Sequence, residues 1–411
     1  MRVSTALNRL LVLPGASVQG MEITDVGVIV RIRRRARSYR CPCGAKISGR
    51  YDRSVRRWRH NDLGLRKVWL EAEVARVWCP VCARVRTEEV PWARPGARHT
   101  RDFEDTVVWL AQRMDKTSLA HLMRCSWDAV QQIVTRVVAD RLDDDRLNGL
   151  VRIGVDEISY KRGHRYLTVV VDHDTGRVVW VGQGRSLETM DRFFDELGPQ
   201  RAARLEAVTM DGSSTYLSAT RSNAPNATIC MDAFHVIQWA NEALDAAFRA
   251  SQIPTVKAQM RESRNQAPWR KARFALRAAR HNIKREHVKL LKTIRVERKE
   301  LHRAYLLKEE LRDLYQIVEP EAAYDYLAWW VKRAAASGII QMENLARKIL
   351  GHFDSIVAAV ELGLSNSRSE GTNTKIRVIQ RRGYGYPNPT TLTAMIYLCC
   401  SGMNIWLPME T

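Results

Sequence analysis

The stretch that decides the fold of this chain is VRIGVDEISYKRGHRYLTVVVDHDTGRVVWVG, residues 151–182. It contains three short apolar runs, which are separated by the polar turn sequences SYKRGH and DTG. Strands that are joined by such short turns pair antiparallel, so the stretch predicts a three-stranded antiparallel sheet. The first run ends on Asp156. A carboxylate at the end of a buried strand is costly unless a positive charge lies against it.

The elements that follow place a second acid at the end of a strand. A helix, SLETMDRFFDELG (186–198), precedes the strand LEAVTMDG (205–212), which reaches Asp211. Another helix, the strand ATICMDAFH (227–235) and a further helix come next. Three antiparallel strands followed by a helix–strand–helix–strand–helix series is the order of the ribonuclease H-like fold. In that fold the first and fourth strands are neighbours, so we expect Asp156 and Asp211 to converge.

A third acid, Glu370, lies near the start of the basic helical segment SNSRSEGTNTKIRVIQRRGYGYP (365–387). Two carboxylates a few ångströms apart do not both ionise without a cation. Magnesium prefers oxygen ligands, and two such ions can activate an attacking hydroxyl and stabilise the leaving oxygen of a phosphodiester. Each acid taken singly fits a solvated strand end or a helix cap. The combination predicts a site for two magnesium ions, with manganese as a substitute, at Asp156, Asp211 and Glu370. Lys375 or Arg377 would hold DNA phosphate.

The composition favours an anionic partner. The 411 residues include 66 lysines and arginines against 45 acids, which gives a formal net charge of +21. An arginine-rich solvated surface is the alternative, but the basic residues are clustered, which favours nucleic acid. No stretch approaches the roughly 20 apolar residues that span a bilayer, and the apolar run at the start is too short for a signal peptide. We therefore expect a cytoplasmic protein that associates with the nucleoid through its nucleic-acid partner and has no membrane partner.

Four cysteines form two pairs, CPCG (41–44) and CPVC (79–82), on sequences typical of tight turns. Two such pairs separated by a strand-rich span predict a structural zinc site at Cys41, Cys43, Cys79 and Cys82. Four buried reduced cysteines are the alternative, although proline and glycine beside them are turn formers. The neighbouring arginines could contact phosphates and are predicted to bind DNA: Arg50, Arg53, Arg56, Arg57 and Arg59.

Residues 100–140 predict three helices in a helix-turn-helix arrangement. The short helix TSLAHLM (117–123) and the turn RCS lead into a longer helix, for which Ser126 is the predicted N-cap. The predicted buried stripe of this helix comprises Trp127, Val130, Ile133, Val134 and Val137. The residues predicted to face outward include three DNA-binding candidates, namely Gln131, Gln132 and Arg136. An ordinary three-helix bundle is the alternative.

The chain is predicted to be a multidomain α/β protein. Asp211 and Glu370 lie 159 positions apart (370 − 211), which is far more than the core fold requires and therefore indicates a helical insertion. The predicted divisions are a zinc-binding DNA-binding domain at 1–95, a helix-turn-helix domain at 100–145, the first part of the ribonuclease H-like core at 150–249, an all-helical insertion at 250–362 and the last part of the core at 363–411. The insertion is either a DNA-holding surface or a solvated, coiled-coil-like face.

The stretches GVDEIS, VTMDGS, DAFHV and SRSEGTNTKIR resemble the bacterial insertion-sequence transposases of the DDE type, most closely the family labelled ISL-three. The resemblance covers essentially the whole chain. It implies that Asp156, Asp211 and Glu370 are the catalytic triad. It also matches Asp232 and His235 to a D-x-x-H element that follows the second acid in several such families, where these residues shape the site or contact DNA. An ordinary turn and helix start is the alternative for that pair.

The resemblance implies an enzyme that binds the terminal inverted repeats of an insertion sequence and uses magnesium to cleave DNA and join it to target DNA. Cutting two ends together implies a homodimer or a higher homo-oligomer. Two other functions stay open on the residues alone. One is a non-catalytic DNA-binding protein derived from a transposase, and the other is a ribonuclease H-like junction nuclease.

Overall fold

The structure is a computed structural model, and it divides the chain into two compact units. It describes residues 3–142, 144–161, 163, 165–251, 267–364, 367–383, 385–386 and 388–410; for 144, 267–271 and 367–370 it describes the backbone only. The first unit comprises residues 1–142, 390–399 and 403–411, and the second comprises 143–389 and 400–402. The segment that was predicted to close the core, 363–411, is therefore shared between the two units.

The first unit begins with a helix and a five-stranded sheet in which the order is β1-β2-β6-β5, with β7 added beside β6. Strand β6 alternates buried and exposed residues, and its inward side chains pack with Trp58 and Trp92, whose ring centroids lie 5.7 Å apart. A separate hairpin, β3–β4, carries the first cysteine pair. The elements are α1 (Val3–Leu11), β1 (Ala16–Thr24), β2 (Gly27–Arg34), β3 (Tyr39–Arg40), β4 (Lys46–Ile47), β5 (Asp52–Leu63), β6 (Arg66–Cys79) and β7 (Arg84–Thr87).

Three helices follow in this unit, as the sequence predicted: α2 (Arg101–Ala111), α3 (Lys116–Leu122) and α4 (Trp127–Arg141). Each begins at a residue whose side chain accepts a backbone N–H of the first turn, namely Thr100, Asp115 and Ser126. Such caps satisfy donors that have no partner within the helix. The predicted buried stripe of α4 is confirmed except at Trp127. This side chain is exposed, and the Lys116 ammonium lies 4.7 Å from the centre of its ring.

The second unit is built on a sheet in the order β10-β9-β8-β11-β12. Its first three strands pair antiparallel, as predicted, and β11 and β12 run parallel to β8. The first and fourth strands of the unit, β8 and β11, are therefore neighbours. The elements of this part are β8 (Arg152–Lys161), β9 (Arg165–Asp172), β10 (Val178–Gln183), α5 (Leu187–Leu197), α6 (Pro199–Ala202), β11 (Ala207–Met210), α7 (Ser214–Asn223), β12 (Thr228–Met231) and α8 (Ala233–Ala250).

Strand β8 is longer than the sequence predicted, because it continues past Asp156 to Lys161. Its parallel pairing with β11 ends at Gly154, whereas its antiparallel pairing with β9 continues to the end of the strand. Asp156 therefore lies where β8 loses one neighbour, and its side chain is half-buried in the middle of a strand. The prediction that the strand ends at this acid was wrong, because the hairpin with β9 extends the strand.

Helices cover both faces of this sheet. Side chains of α5 and α7 pack with β8, β10 and β11 in one core, and Ala359 and Leu364 pack with β11 and β12 on the other face. A third core is formed by α8 together with α9 (Ala267–Arg277), α10 (Arg285–Glu297), α11 (Lys299–Asp313), α12 (Ala323–Ala335), α13 (Ile340–Leu350) and α14 (Phe353–Glu361). The last two helices are α15 (Ser367–Arg382) and α16 (Pro389–Cys400). A mixed α/β architecture with a large helical part is confirmed.

Candidate active site and DNA-binding surface

Three aspartates follow a common register across neighbouring strands of the second unit. Thr209 of β11 pairs with Gly154, and Met210 pairs with Met231 of β12. Beyond these last pairs, the same register counts on by two positions from Gly154 to Asp156, by two from Thr209 to Asp211 and by one from Met231 to Asp232, and the charges of all three aspartates act on His235. Neighbouring strands lie about 4.8 Å apart, so this register brings three acids to one edge of the sheet. Local sequence cannot fix such a register.

Asp156 is held at both carboxylate oxygens. Its Oδ1 accepts the backbone N–H of Glu157 at 2.7 Å, and its Oδ2 accepts a hydrogen bond from the side-chain amide of Asn373 on α15. Burial raises the pKa of Asp156, and the charge of Asp232 adds to this effect, while the two hydrogen bonds and His235 oppose it. Among the described side chains, no lysine or arginine forms an ion pair with Asp156. The carboxylate is thus desolvated and oriented, which is the state that favours cation binding.

Asp211 follows the last residue of β11 and is half-buried. Its Oδ1 accepts the backbone N–H of Ser213 at 3.1 Å, which fixes the carboxylate at the turn before α7. Gly212, between these residues, allows a close approach from α8: a Cβ at this position would lie 2.9 Å from Cζ2 of Trp239. The turn that presents Asp211 is therefore packed directly against an aromatic ring.

Asp232 and His235 form a bonded pair beside these acids. Asp232 is buried and caps α8, since its Oδ1 accepts the N–H of Phe234 at 2.9 Å. Its Oδ2 lies 2.7 Å from Nδ1 of His235. Burial acts to lower the pKa of His235, but the hydrogen bond with Asp232 and the charges of Asp232, Asp156 and Asp211 outweigh it, so the pKa is raised. The predicted auxiliary pair thus places a basic imidazole in the field of all three aspartates.

Glu370 lies on α15, where the structure describes its backbone but not its side chain. Asn373, three residues later, bonds Asp156, and Nε2 of Gln380 donates to the carbonyl oxygen of Ser159 at 3.4 Å. The α15 face that contains positions 373 and 380 therefore runs along β8, and position 370 lies on that same face. Lys375 and Arg377 of this helix are exposed. Sequence reasoning missed Asn373, although its spacing from Glu370 was a usable signal.

The four cysteines of the two pairs meet in space. Their sulfur atoms all lie within 4.8 Å of one another, with 3.9 Å between Cys41 and Cys82 and 3.6 Å between Cys43 and Cys79. Cys41 ends the β3 side of the small hairpin, whose turn closes with a bond from Gly44 N to Cys41 O, and Cys79 ends β6. A hydrogen bond from the Cys82 amide lowers the pKa of Cys79 to about 7, which favours its thiolate.

The arginines near the cysteines have different environments. Arg50, Arg53, Arg56 and Arg57 are exposed; Arg53 pairs with Glu73 at 3.0 Å, and Arg57 pairs with Glu71 at 2.7 Å. Arg59 is buried, and its guanidinium pairs with Asp62 and lies 5.3 Å from the centre of the Phe103 ring. The sequence did not reveal this difference, because it depends on which strand residues face the α2 helix.

The predicted outward face of α4 is only partly confirmed. Gln132 is exposed, whereas Gln131 is half-buried and accepts a hydrogen bond from the Lys116 ammonium at 3.3 Å. Arg136 was predicted to face outward, but it is half-buried and its guanidinium binds the buried carboxylate of Glu104. The inward turn of Arg136 follows from Glu104, an acid inside the helical bundle that needs a cationic partner.

Several basic residues of the first unit line one cavity of about 540 Å³ at the start of α4. Gln132, Arg59 and Arg136 lie in its wall, and sequence reasoning missed three further cationic residues there: Lys67, Arg98 and Arg124. Arg124 has a φ of 52° and donates to Asp62 and to the Leu65 carbonyl, both at 3.0 Å. These residues come from the β5–β6 hairpin, the segment before α2 and the α3–α4 turn, so only the tertiary structure assembles them.

Among the described residues, none of the helices combines the length and the apolar character that crossing a bilayer requires.

Comparisons with known proteins show which family the chain resembles. The family model DDE_Tnp_ISL3, described as a transposase, matches residues 153–396, and the model described as the helix-turn-helix domain of transposase family ISL3 matches residues 88–138. The chain is 41% identical over 404 residues to the transposase for insertion sequence element IS1557 of Mycobacterium tuberculosis, a match that covers 93% of this chain and 90% of the relative. It is 30% identical over 349 residues to the transposase for insertion sequence element IS1001 of Bordetella parapertussis, with 84% of each chain covered.

Proposed function

The chain belongs to the ISL3 family of transposases, and from this premise we propose that it cuts DNA at the terminal inverted repeats of an insertion sequence and joins the freed strands to target DNA. The reaction proposed is hydrolysis of one phosphodiester at each end, after which the freed 3′-hydroxyl attacks a target phosphodiester. No covalent bond to the protein forms. Two ends are cut together, so the active species is a homodimer or a higher homo-oligomer.

The observation that supports this proposal is the parallel pairing of β8 with β11, whose register leads on to Asp156 and Asp211, together with the hydrogen bond from Asn373 of α15 to Asp156. Asp156, Asp211 and Glu370 would hold two magnesium ions, with manganese as a substitute. The desolvated Asp156 carboxylate, which no described lysine or arginine neutralises, fits such a cation site. When bound, the ions would activate the attacking hydroxyl and stabilise the leaving oxygen.

The residues of the chain itself supply orientation. The Glu157 amide and Asn373 each occupy one oxygen of Asp156, and every carboxylate oxygen keeps a further lone pair for a ligand. Asp232 differs from Asp156 in being buried and in having one carboxylate oxygen bonded to the imidazole of His235. We therefore assign Asp232 and His235 to an auxiliary role, in which His235 adds positive charge beside the metal-binding acids.

The sheet order supports a ribonuclease H-like core. Three antiparallel strands, followed by two strands parallel to the first of them, give the order 3-2-1-4-5 within the second unit. We propose that the core comprises residues 150–249 and the Glu370-bearing part of 363–411, and that residues 250–362 form the helical insertion, whose described residues are in helices and short connections.

DNA binding is assigned to the first unit, with residues 1–95 and 100–145 as its two modules. The cavity at the start of α4 combines the exposed amide of Gln132 with the cationic side chains of Lys67, Arg98 and Arg124. Amides read base edges and cations bind phosphates, so one surface would supply both kinds of contact. The exposed arginines beside it (Arg50, Arg53, Arg56 and Arg57) extend the basic surface along β5.

Zinc is proposed for the cysteine cluster. Tetrahedral zinc with four sulfurs at about 2.3 Å requires sulfur–sulfur distances of about 3.8 Å. The two closest pairs, at 3.6 and 3.9 Å, lie on either side of this value. Four thiolates fill the coordination sphere, so the role would be structural.

The test of the catalytic assignment is a metal-dependent cleavage assay on duplex DNA that carries the terminal repeats, with wild type compared with Asp156→Ala. We expect the variant to lose cutting and to keep DNA binding. Normal cutting by the variant would show that the site is assigned to the wrong residues. A non-catalytic binding protein would show no cutting by wild type either, and a junction nuclease would cut branched DNA in preference to repeat ends.

A further inference from the structure

We propose that Lys348, held over the indole ring of Trp239, binds the DNA phosphodiester backbone next to the cleavage point. This inference rests on the proposed function, because it places the contact beside the acids assigned to cleavage. The ligand is a phosphate of the strand that flanks the scissile bond. The site is built from α8 of the core and α13 of the helical part.

Trp239 lies directly against the turn that carries Asp211. A Cβ on Gly212 would approach Cζ2 of this indole to 2.9 Å, a distance that real Cβ atoms essentially never show, and Cη2 to 3.0 Å, which is also a tight contact. Only a glycine after Asp211 lets the Trp239 ring occupy this place without a shift of the ring or of the turn. The indole is half-buried and lies against the turn that contains Asp211 and Gly212.

Lys348 extends this surface with a positive charge. Its ammonium lies 3.7 Å from the centre of the Trp239 ring, and the residue is exposed. A cation over an indole face is attracted by the ring, which limits the conformations of the long lysine side chain. Among the described side chains, no carboxylate lies within ion-pair distance of this ammonium. The charge of Glu242 acts on Lys348 without an ion pair, so the three N–H donors can bind an anion from outside the chain.

The same geometry argues for a phosphate as the ligand in place of a stacked base. One face of the indole is covered by the ammonium, and the ring of His352 lies 5.3 Å away at an angle of 41°. Burial and the charge of Lys348 lower the pKa of His352, so the imidazole is neutral at neutral pH and the lysine carries the charge. A base would have to displace one of these groups, whereas a phosphate oxygen needs only the outward side of the ammonium.

The test uses the full chain with a duplex that carries the terminal repeat and its flanking DNA. Lys348→Met keeps an unbranched apolar chain for packing on Trp239 but removes the charge, and Lys348→Arg keeps a cation over the ring. Lys332→Met removes a charge from an exposed lysine of the neighbouring helix α12 and is the control. Affinity is measured without divalent metal over a range of salt concentrations, cleavage is measured with magnesium, and folding is followed by thermal unfolding.

We expect Lys348→Met to bind the duplex about tenfold more weakly and to cut it correspondingly more slowly, with an unchanged unfolding temperature. The slope of log affinity against log salt should fall by about 0.9, as expected for one lost phosphate contact. Lys348→Arg should retain most of the affinity. The proposal is overturned if Lys348→Met binds and cuts as well as the Lys332→Met control, or if its loss only follows a lowered unfolding temperature that Lys348→Arg shares.

These outcomes are separable from failure of the proposed function. If Asp156→Ala cuts normally, the catalytic assignment is wrong, while a charge-dependent loss of binding in Lys348→Met still supports a phosphate contact. If Asp156→Ala loses cutting and Lys348→Met does not differ from the control, only the phosphate site is wrong.

Discussion

The backbone of Asp156 is well paired within its strand, but burial disfavours the charge of its carboxylate. Its strand continues on both sides and stays paired with β9, although the pairing with β11 has already ended, and its carboxylate is bonded by Glu157 N and Asn373. Burial raises its pKa despite two hydrogen bonds. The Asp156 carboxylate therefore binds a proton more tightly in the folded state than in the unfolded chain. The stability that the protonated carboxyl contributes is present at low pH. It is lost as the pH rises from the unfolded-state pKa of 3.8 through the raised folded-state pKa.

We therefore expect Asp156→Asn to be more stable than wild type at neutral pH without divalent metal, by on the order of 1 kcal/mol, as is common at functional sites. The Asn side chain can still accept from Glu157 N, and a flipped Asn373 amide can accept from its NH2 group. Denaturant unfolding in a chelator would measure the difference, which should shrink as the pH falls toward 4. If wild type were more stable than Asp156→Asn at neutral pH, the stabilising effect of the His235 charge on the Asp156 carboxylate would outweigh the cost of its burial.

At the scale of elements, α2 and α4 are joined by a buried ionic network around Arg94. Its guanidinium binds Glu104 at 3.2 Å, Asp105 at 2.7 Å and Asp140 at 2.8 Å. Arg94 and Glu104 are almost fully buried, whereas Asp140 is partly exposed. Such a network fixes how the helices are oriented, and removal of one partner leaves a buried charge without its counterion.

Arg94→Met is expected to destabilise the first unit by about 3 kcal/mol, because Glu104 would keep only Arg136 as a cationic partner. Arg101→Met is the matched control: Arg101 also approaches Asp140, at 3.6 Å, but it is partly exposed and should contribute less than about 1 kcal/mol. Denaturant unfolding of both variants measures the two effects. Addition of Glu104→Leu to Arg94→Met should recover part of the loss, and equal effects of the two arginine variants would contradict this account.

At the scale of the whole molecule, the two compact units have separate hydrophobic cores and separate proposed metal sites. The cysteine cluster joins a short hairpin to the ends of β6 and β7, where few apolar side chains are available: the adjoining core consists of Tyr39, Ala75 and Val77. We propose that zinc at the cysteine cluster stabilises this small β-structured segment, which buries little apolar surface of its own.

We expect that zinc removal, by a strong chelator or by Cys82→Ser, unfolds the region around the cysteines and leaves the second unit intact. Hydrogen exchange measured by mass spectrometry should show lost protection in peptides from residues 39–87 and unchanged protection in β8–β12. Metal analysis of the purified wild type should give one zinc per chain. Absence of zinc, or loss of protection in both units after chelation, would contradict the proposed structural site.

The sequence by itself determined the elements and their order. The three antiparallel strands, the three helices with the Ser126 cap and the two cysteine turns follow from patterns within a few residues, although β8 continues past its predicted end at Asp156. The sequence also indicated the family, because the stretches around Asp156, Asp211 and Glu370 that resemble the family are each continuous in the sequence. For Glu370 the helix is described but the side chain is not, so its part in the site stays a prediction.

Only the tertiary structure decided which distant residues meet. The register of β11 between β8 and β12 aligned Asp232 with the other two aspartates, and packing of α15 on β8 brought Asn373 to Asp156. Packing likewise turned Arg136 inward and placed Lys348 over Trp239. These contacts join segments that are up to 217 residues apart. Local propensity fixes what each segment becomes, but strand register and burial between segments fix which side chains share an environment.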